Sequence, residues 1–211
     1  MMYRHYIKRI LDIAISCVGL IILAIPMLLI ALIVKIDSPG PVLFWQKRVG
    51  CGRVYFMMPK YRSMRTDTPH DVPTHLLNDP EQWITRVGRI LRKTSLDELP
   101  QIICILTGKM SIIGPRPALW NQDDLLEERD KYGANDVRPG LSGWAQINGR
   151  DELPISVKAR LDGEYVQKLS FLFDVKCFFG TIWKVIKREG VVEGAQDQET
   201  REPASSGSAK S

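Results

Sequence analysis

Residues 95–101 read SLDELPQ, and the adjacent acids Asp97 and Glu98 are the first residues in the chain whose types and spacing suit chemistry. Two functions fit them. Ser95 and Glu98 have the spacing of a capping box, in which the Ser side chain accepts from a backbone N–H of the first helical turn and the Glu reaches back to the Ser N–H. Acids in a first turn also suit the helix dipole. Successive helical residues point about 100° apart, so the two acids cannot do one identical job. One can attack phosphorus as a nucleophile while the other holds a divalent ion, which takes one or two carboxylates plus phosphate oxygens. Free N–H groups at a helix start face the same anion, so capping and catalysis are compatible.

Cations suited to phosphate recur in other stretches. GPRP (114–117) fixes Arg116 between two prolines, RPG (138–140) follows Arg138 with one proline, and RILRK places Arg92 ahead of the acids. KYRSM (60–64) puts Lys60 and Arg62 two apart on an expected strand, hence on one face. Arginine on a rigid turn suits bidentate grip of a phosphate. Several such turns beside an acid pair point to a substrate such as a nucleotide diphosphate. The net charge of +5 and pI near 9.0 fit anionic partners. No helix-turn-helix, zinc finger or aromatic–basic RNA motif is present, so no nucleic-acid partner is expected. The four cysteines show no CxxC pairing and the three histidines no HExxH array, which argues against a zinc site and for reduced thiols facing a cytosol.

These groups need elements to position them. Residues 13–34, IAISCVGLIILAIPMLLIALIV, carry no charge and as a helix would be about 33 Å long, enough for a bilayer core. The run is too long for a signal peptide and is expected to remain as an anchor. Pro26 sits near its middle as an expected helix break. Arg4, Lys8 and Arg9 precede it and Lys35, Lys47 and Arg48 follow, so a re-entrant hairpin with both ends cytoplasmic and a tilted, kinked span are both open on these residues. VLFWQKRVG and RVYFMMPKYRSM predict a β-hairpin around Gly50-Cys51-Gly52. Residues 66–80 are expected to form a surface loop and 84–93 a helix. A further helix should bury Leu99, Ile102, Ile103 and Leu106 and stop at Gly108. Residues 120–132 form a charged helix. FLFDVKCFFGTIWKVIKRE mixes aromatic and basic residues as an interfacial helix would, and the same aromatic surface would equally serve a homodimer. The predicted fold class is α+β: a re-entrant membrane anchor (1–36), a compact, largely helical cytosolic domain with a small β-hairpin and interfacial amphipathic helices (37–190), and a polar tail (191–211).

Taken in order, KYRSM, SLDELPQ, GKMSIIGPRP, RPGLSGWAQINGR and YVQKLSFLFDVK resemble the bacterial sugar transferase family, the monotopic polyprenol-phosphate phosphoglycosyl transferases, over residues 2 to about 190. By size the chain resembles the minimal form. The resemblance implies transfer of a sugar phosphate from a UDP-sugar to polyprenyl (undecaprenyl) phosphate with Mg2+, at the cytoplasmic face of the bacterial inner membrane, giving polyprenyl-diphospho-sugar and UMP. It implies Asp97 as the nucleophile of a covalent intermediate, Glu98 as the metal-associated acid, and Arg92 and Arg116 near phosphate. It places Arg138, Arg150, Lys60 and Arg62 in family motifs, and implies an anchor that re-enters at a proline matching Pro26. Three positions depart from the family pattern: Ile25 where many members have Ser before the proline, Tyr61 for the usual Phe, and Lys109 for Asp. Two other readings use the same residues: a diphosphatase that passes the aspartyl intermediate to water, for which no extra general base is evident, and a non-catalytic membrane scaffold, against which the intact acid pair argues.

Overall fold

The computed structural model describes residues 2–68, 80–149 and 153–187. The polar tail, most of the 66–80 loop and Arg150 lie outside the described residues.

The apolar run forms a single helix, α1 (Lys8–Asp37), preceded by a π-helical turn, Tyr3–Ile7. It is long and apolar enough to cross a membrane. Pro26 does not interrupt it as a break: the helix continues on both sides. What the proline removes is its N–H, so the i−4 carbonyl loses its usual donor. One stripe of α1 packs on the rest of the molecule, with Asp12, Ser16 and Val34 buried, and the remaining faces expose Ile21, Ile25, Leu28 and Leu32. A contiguous apolar surface of that kind has no stable place in water.

The packed stripe is pinned by polar contacts at both ends. Lys8 pairs with Asp174 at 2.6 Å, and Arg9 donates to the carbonyls of Ile105 and Leu106. Asp12 accepts from the Ser111 hydroxyl and the Ile112 N–H. At the far end Asp37 accepts from Val87 N–H and Ser38 from Arg62.

The predicted hairpin is present. β1 (Leu43–Val49) and β2 (Tyr55–Tyr61) pair antiparallel from Leu43 opposite Tyr61 to Val49 opposite Tyr55. Gly52 and Arg53 are both left-handed in the turn, at φ 63° and 61°. One face carries Phe56 and Met58 into a core with Cys104, Ile105 and Met110. α2 (Arg86–Thr94) starts where Thr85 accepts from Gly88 N–H. A 3-10 helix, Leu96–Gln101, follows and runs into the short α3 (Ile102–Leu106), which ends at Gly108 in the left-handed region as expected.

The buried side of α3 is only partly the expected one: Leu99 packs in a core and Ile102 and Leu106 are half-buried. Cys104 and Ile105 enter the core, Ile102 lies against Gly19 of α1, and Ile103 stays exposed. The expected face assumed that apolar means buried, which fails beside an anchor helix. β3 (Ser111–Ile113) and β4 (Gly140–Ser142) form a second, parallel pair that the pattern did not reveal. The crossover between them holds the charged helix α4 (Asp123–Asp130). α5 (Trp144–Ile147), α6 (Ile155–Lys168) and α7 (Phe171–Lys187) complete the described chain. α7 buries Asp174 and Cys177 and exposes Phe171, Leu172, Phe179 and Trp183, an amphipathic arrangement that suits an interface.

Candidate active site

The acids do not sit in a capping box. Ser95 takes a left-handed conformation, φ 57°, and closes α2, its N–H bonding back to Arg92 and Leu91 carbonyls. Its hydroxyl caps nothing in the following turn. The left-handed residue is needed to turn the chain sharply from α2 into the 3-10 helix. Glu98 is thereby released from a local role, and its side chain turns to distant partners.

Lys60 Nζ and Arg116 Nη2 both donate to Glu98 Oε1, at 2.9 and 3.0 Å. The Glu98 side chain is only 12 % exposed. Burial alone would raise its pKa; Arg116 and Lys60 outweigh that and hold it well below the usual carboxylate range. Asp97 is also buried, at 8 % exposure, but no hydrogen bond ties its carboxylate to another described side chain. Burial pushes its pKa up, and Glu98 adds to this, while Lys60, Arg92 and Arg116 pull the other way. Burial likewise lowers Lys60, with Glu98 opposing. Two neighbouring acids therefore differ in kind. Glu98 is a fixed anion, and Asp97 is a carboxyl bonded to no described side chain within the field of three cations.

Backbone contacts on both sides of its turn bring Arg116 to this place. β3 leads directly into Gly114-Pro115-Arg116, and the segment is held by Gly140 N–H on the Pro115 carbonyl and Gly114 N–H on the Ser142 carbonyl, both 2.8 Å. The backbones cross so closely that a Cβ on Gly140 would fall 2.1 Å from Gly114 N. Arg48 then ties β1 to the same turn, donating to the Pro117 carbonyl at 2.8 Å.

The remaining expected residues divide. Arg92, in the last turn of α2, acts on the Asp97 carboxylate. Lys60 belongs to the cluster, but Arg62 does not share its role. β2 ends at Tyr61, and Arg62 bonds Ser38 at the end of α1. Arg138 makes its hydrogen bond to the Gly108 carbonyl, and none joins it to either acid. Its turn matters here through Pro139 and Gly140, which hold the Arg116 segment. Arg150 lies outside the described residues. Arg48 was expected only as a basic flank of the anchor. The signal that finds it is period-two alternation: Gln46 and Arg48 share the strand face that carries Lys60.

Among the described residues no group of three or more His, Cys, Asp or Glu is placed to hold a metal ion. The dyad offers two carboxylates at most, and both Glu98 bonds fall on Oε1, leaving Oε2 open. That donor set fits a Mg2+ ion completed by substrate phosphate oxygens, not a closed protein cage.

The family model of bacterial sugar transferases matches residues 3–188. UDP-glucose:undecaprenyl-phosphate glucose-1-phosphate transferase of Escherichia coli (strain K12) is 41 % identical over 186 residues, covering 84 % of this chain and 40 % of that protein. Exopolysaccharide production protein PSS of Rhizobium leguminosarum bv. phaseoli is 38 % identical over 196 residues, covering 86 % of this chain and 96 % of that one. UDP-N-acetylgalactosamine-undecaprenyl-phosphate N-acetylgalactosaminephosphotransferase of Aeromonas hydrophila is 36 % identical over 186 residues, 86 % of this chain and 44 % of the relative. The chain thus spans less than half the length of the first and third of these proteins and nearly all of the second. The match across the anchor, the acid pair and both arginine turns leads to one conclusion: this chain belongs to the bacterial sugar transferase family.

Proposed function

We propose that the chain transfers a sugar-1-phosphate from a UDP-sugar to polyprenyl phosphate, undecaprenyl phosphate in most bacteria. The observation that carries this reading is the asymmetry of the dyad: a buried Asp97 carboxyl with no hydrogen bond to a described side chain, beside a Glu98 held by two cations. An Asp97 oxygen bonds to the phosphorus that bears the sugar, and the bridging P–O bond to UMP breaks, UMP leaving with the electron pair. An oxygen of polyprenyl phosphate then bonds to the same phosphorus, and the Asp97–phosphorus bond breaks to return the carboxylate. Arg116, Arg92 and Lys60 neutralise charge on the phosphate oxygens, and Glu98 keeps Arg116 and Lys60 in place between the two steps. Mg2+ bound at Glu98 Oε2 would add charge neutralisation on the pyrophosphate. The two relatives above that are named for a sugar differ in it, so the donor is stated as a UDP-sugar.

The anchor is read as re-entrant. Lys8, Arg9 and Asp12 bond the catalytic body at one end of α1, and Asp37 and Ser38 bond it at the other. A helix whose two ends are tied to one water-soluble body cannot deliver those ends to opposite sides of a bilayer. Residues 1–36 then anchor the chain from the cytoplasmic face of the inner membrane, where UDP-sugars are found, and residues 37–190 carry the catalysis.

UMP release by detergent-solubilised protein tests the reading, across a panel of UDP-sugars, with and without undecaprenyl phosphate and Mg2+. Steady UMP production that needs both lipid and metal is the expected result. UMP production that continues equally without the lipid would replace the transferase by a diphosphatase, and none from any UDP-sugar would favour the scaffold.

A further inference from the structure

Three consecutive residues at the end of β2 reach three different places. Lys60 bonds Glu98. Tyr61, on the opposite face of the strand, donates its hydroxyl to the Met27 carbonyl of α1 at 2.8 Å. Arg62 donates from Nη2 to the Ser38 carbonyl at 2.6 Å and the Ser38 hydroxyl at 2.7 Å, where α1 ends. The two attachment points on α1 are about 16 Å apart along the helix axis. Tyr61 is 4 % exposed and Arg62 5 % exposed, so both contacts are made inside the packed interface.

The Tyr61 hydroxyl is not required for packing. Its ring lies among Val34, Leu91, Met27, Ile30 and Leu99, where phenylalanine would fill the same space. A hydroxyl kept among apolar side chains must be bonded to avoid a desolvation cost. Here it is bonded to a helix carbonyl one residue past Pro26. The proline has no N–H to give the preceding turn, so α1 bends most easily there. A carbonyl drawn outward to an external donor fixes the direction of such a bend. The same strand carries Lys60 on its other face, so α1 and the dyad are both set against β2.

We propose that Tyr61 is a positioning residue. Together with Arg62 it sets the angle and depth of α1 against the dyad, and so the height at which a membrane-borne phosphomonoester meets Asp97. This rests on the transferase reading above and deepens it. The UDP-sugar arrives from water and does not use this alignment, whereas the lipid phosphate does. Loss of the Tyr61 hydroxyl should therefore separate the two half-reactions.

The test is Tyr61→Phe in vesicles containing undecaprenyl phosphate. A single-turnover burst of UMP without lipid should stay within about two-fold of the unaltered chain, while transfer to the lipid falls about five-fold, chiefly as a higher KM for the lipid. Equal loss in both steps, or no loss in transfer, overturns the proposal. A second measurement needs no activity. Cys17 on α1 and Cys51 at the hairpin turn are exposed, whereas Cys104 and Cys177 are buried, so nitroxides on the first two report the helix-to-body distance by pulsed EPR. Tyr61→Phe should shift or broaden that distribution, and an unchanged distribution overturns the proposal. Absence of any UMP burst from the unaltered chain would defeat the transferase reading alone, since the distance measurement would still stand.

Discussion

Arg129 and Asp162 join α4 to α6 with side chains 4 % and 1 % exposed, as deeply buried as anything in the dyad, yet the two clusters are built on opposite plans. Arg129 places Nε and Nη2 on a single Asp162 oxygen at 2.8 and 2.6 Å, one cation closing on one anion. Around the dyad, Lys60 and Arg116 converge on Glu98 while Arg92 faces Asp97, and the Asp97 carboxyl is bonded to nothing described. Burial pushes both Asp162 and Asp97 upward, against the pull of their cations. Among the described residues, only the second cluster leaves a carboxyl without a hydrogen bond. A closed pair can do no more than hold two helices in register, whereas an open one invites an anion.

Asp97→Asn should break this contrast most severely. Turnover should fall by at least about a thousand-fold, because an amide is a very poor nucleophile. Retention of a tenth of the UMP release would remove Asp97 from the chemistry. Stability should move the other way. A carboxyl whose folded pKa is raised binds its proton more tightly in the folded state, so its contribution to stability is greatest at low pH and is lost as pH rises from its unfolded toward its folded value. At neutral pH the Asn variant should therefore melt no lower than the unaltered chain. The same raised pKa predicts that kcat/KM falls on acidification at a pH above the ordinary aspartate value of about 3.9. A profile flat down to that value would mean that bound cations fully offset the burial.

Glu98→Gln should act next most strongly and with the opposite sign on stability. Its pKa is depressed, so its stabilising contribution is present above the unfolded value and is lost progressively as pH falls from there toward the folded value. Replacing it leaves Lys60 and Arg116 without their shared anion, at a cost of about 1–3 kcal/mol in unfolding free energy. Turnover should drop about a hundred-fold with a weakened Mg2+ titration, consistent with loss of electrostatic support. An unchanged metal titration would move the ion elsewhere.

The arginine turns sharpen the comparison further. Arg116→Gln should raise the KM for UDP-sugar about ten-fold through loss of a charge-assisted phosphate contact. Arg138→Gln, which removes only a bond to the Gly108 carbonyl, should change it less than about two-fold. Equal effects would mean that both turns grip the substrate.

Much of this was legible from residue types. The hairpin followed from alternation around a glycine turn, and Asp97, Glu98, Lys60 and Arg116 were all named from charge and rigid turns. What failed were inferences about local geometry. Ser95–Glu98 has capping-box spacing, but the left-handed Ser95 closes the preceding helix instead, a choice made by the path from α2 to β2's face rather than by the motif. Lys60 and Arg62 were assigned one face, yet the strand ends between them. β3 and β4 are three residues each and carry no readable period. α6 buries Ala159, Asp162, Gly163 and Tyr165, a stripe whose polar members hide it from any apolar count. Ile103 shows the last difficulty: beside an anchor, an apolar residue can be exposed without penalty.

The smallest effect on turnover should come from the closed pair. Arg129→Met alone leaves Asp162 buried without its cation, and breaking such a pair costs about 3–5 kcal/mol. The melting temperature should fall steeply while KM values of the surviving folded protein stay put. Adding Asp162→Leu should restore most of the stability, since replacing a whole buried ion pair by apolar groups of similar volume is often neutral or better. On the proposed reading no such exchange can restore function in the dyad, because Asp97 and the cations around it act on the substrate phosphates. If the double variant remained as unstable as Arg129→Met, α4 and α6 would depend on the charge itself for their register. If it lost activity while folding normally, the Arg129–Asp162 pair would belong to the catalytic machinery, and the division between closed and open clusters would fail.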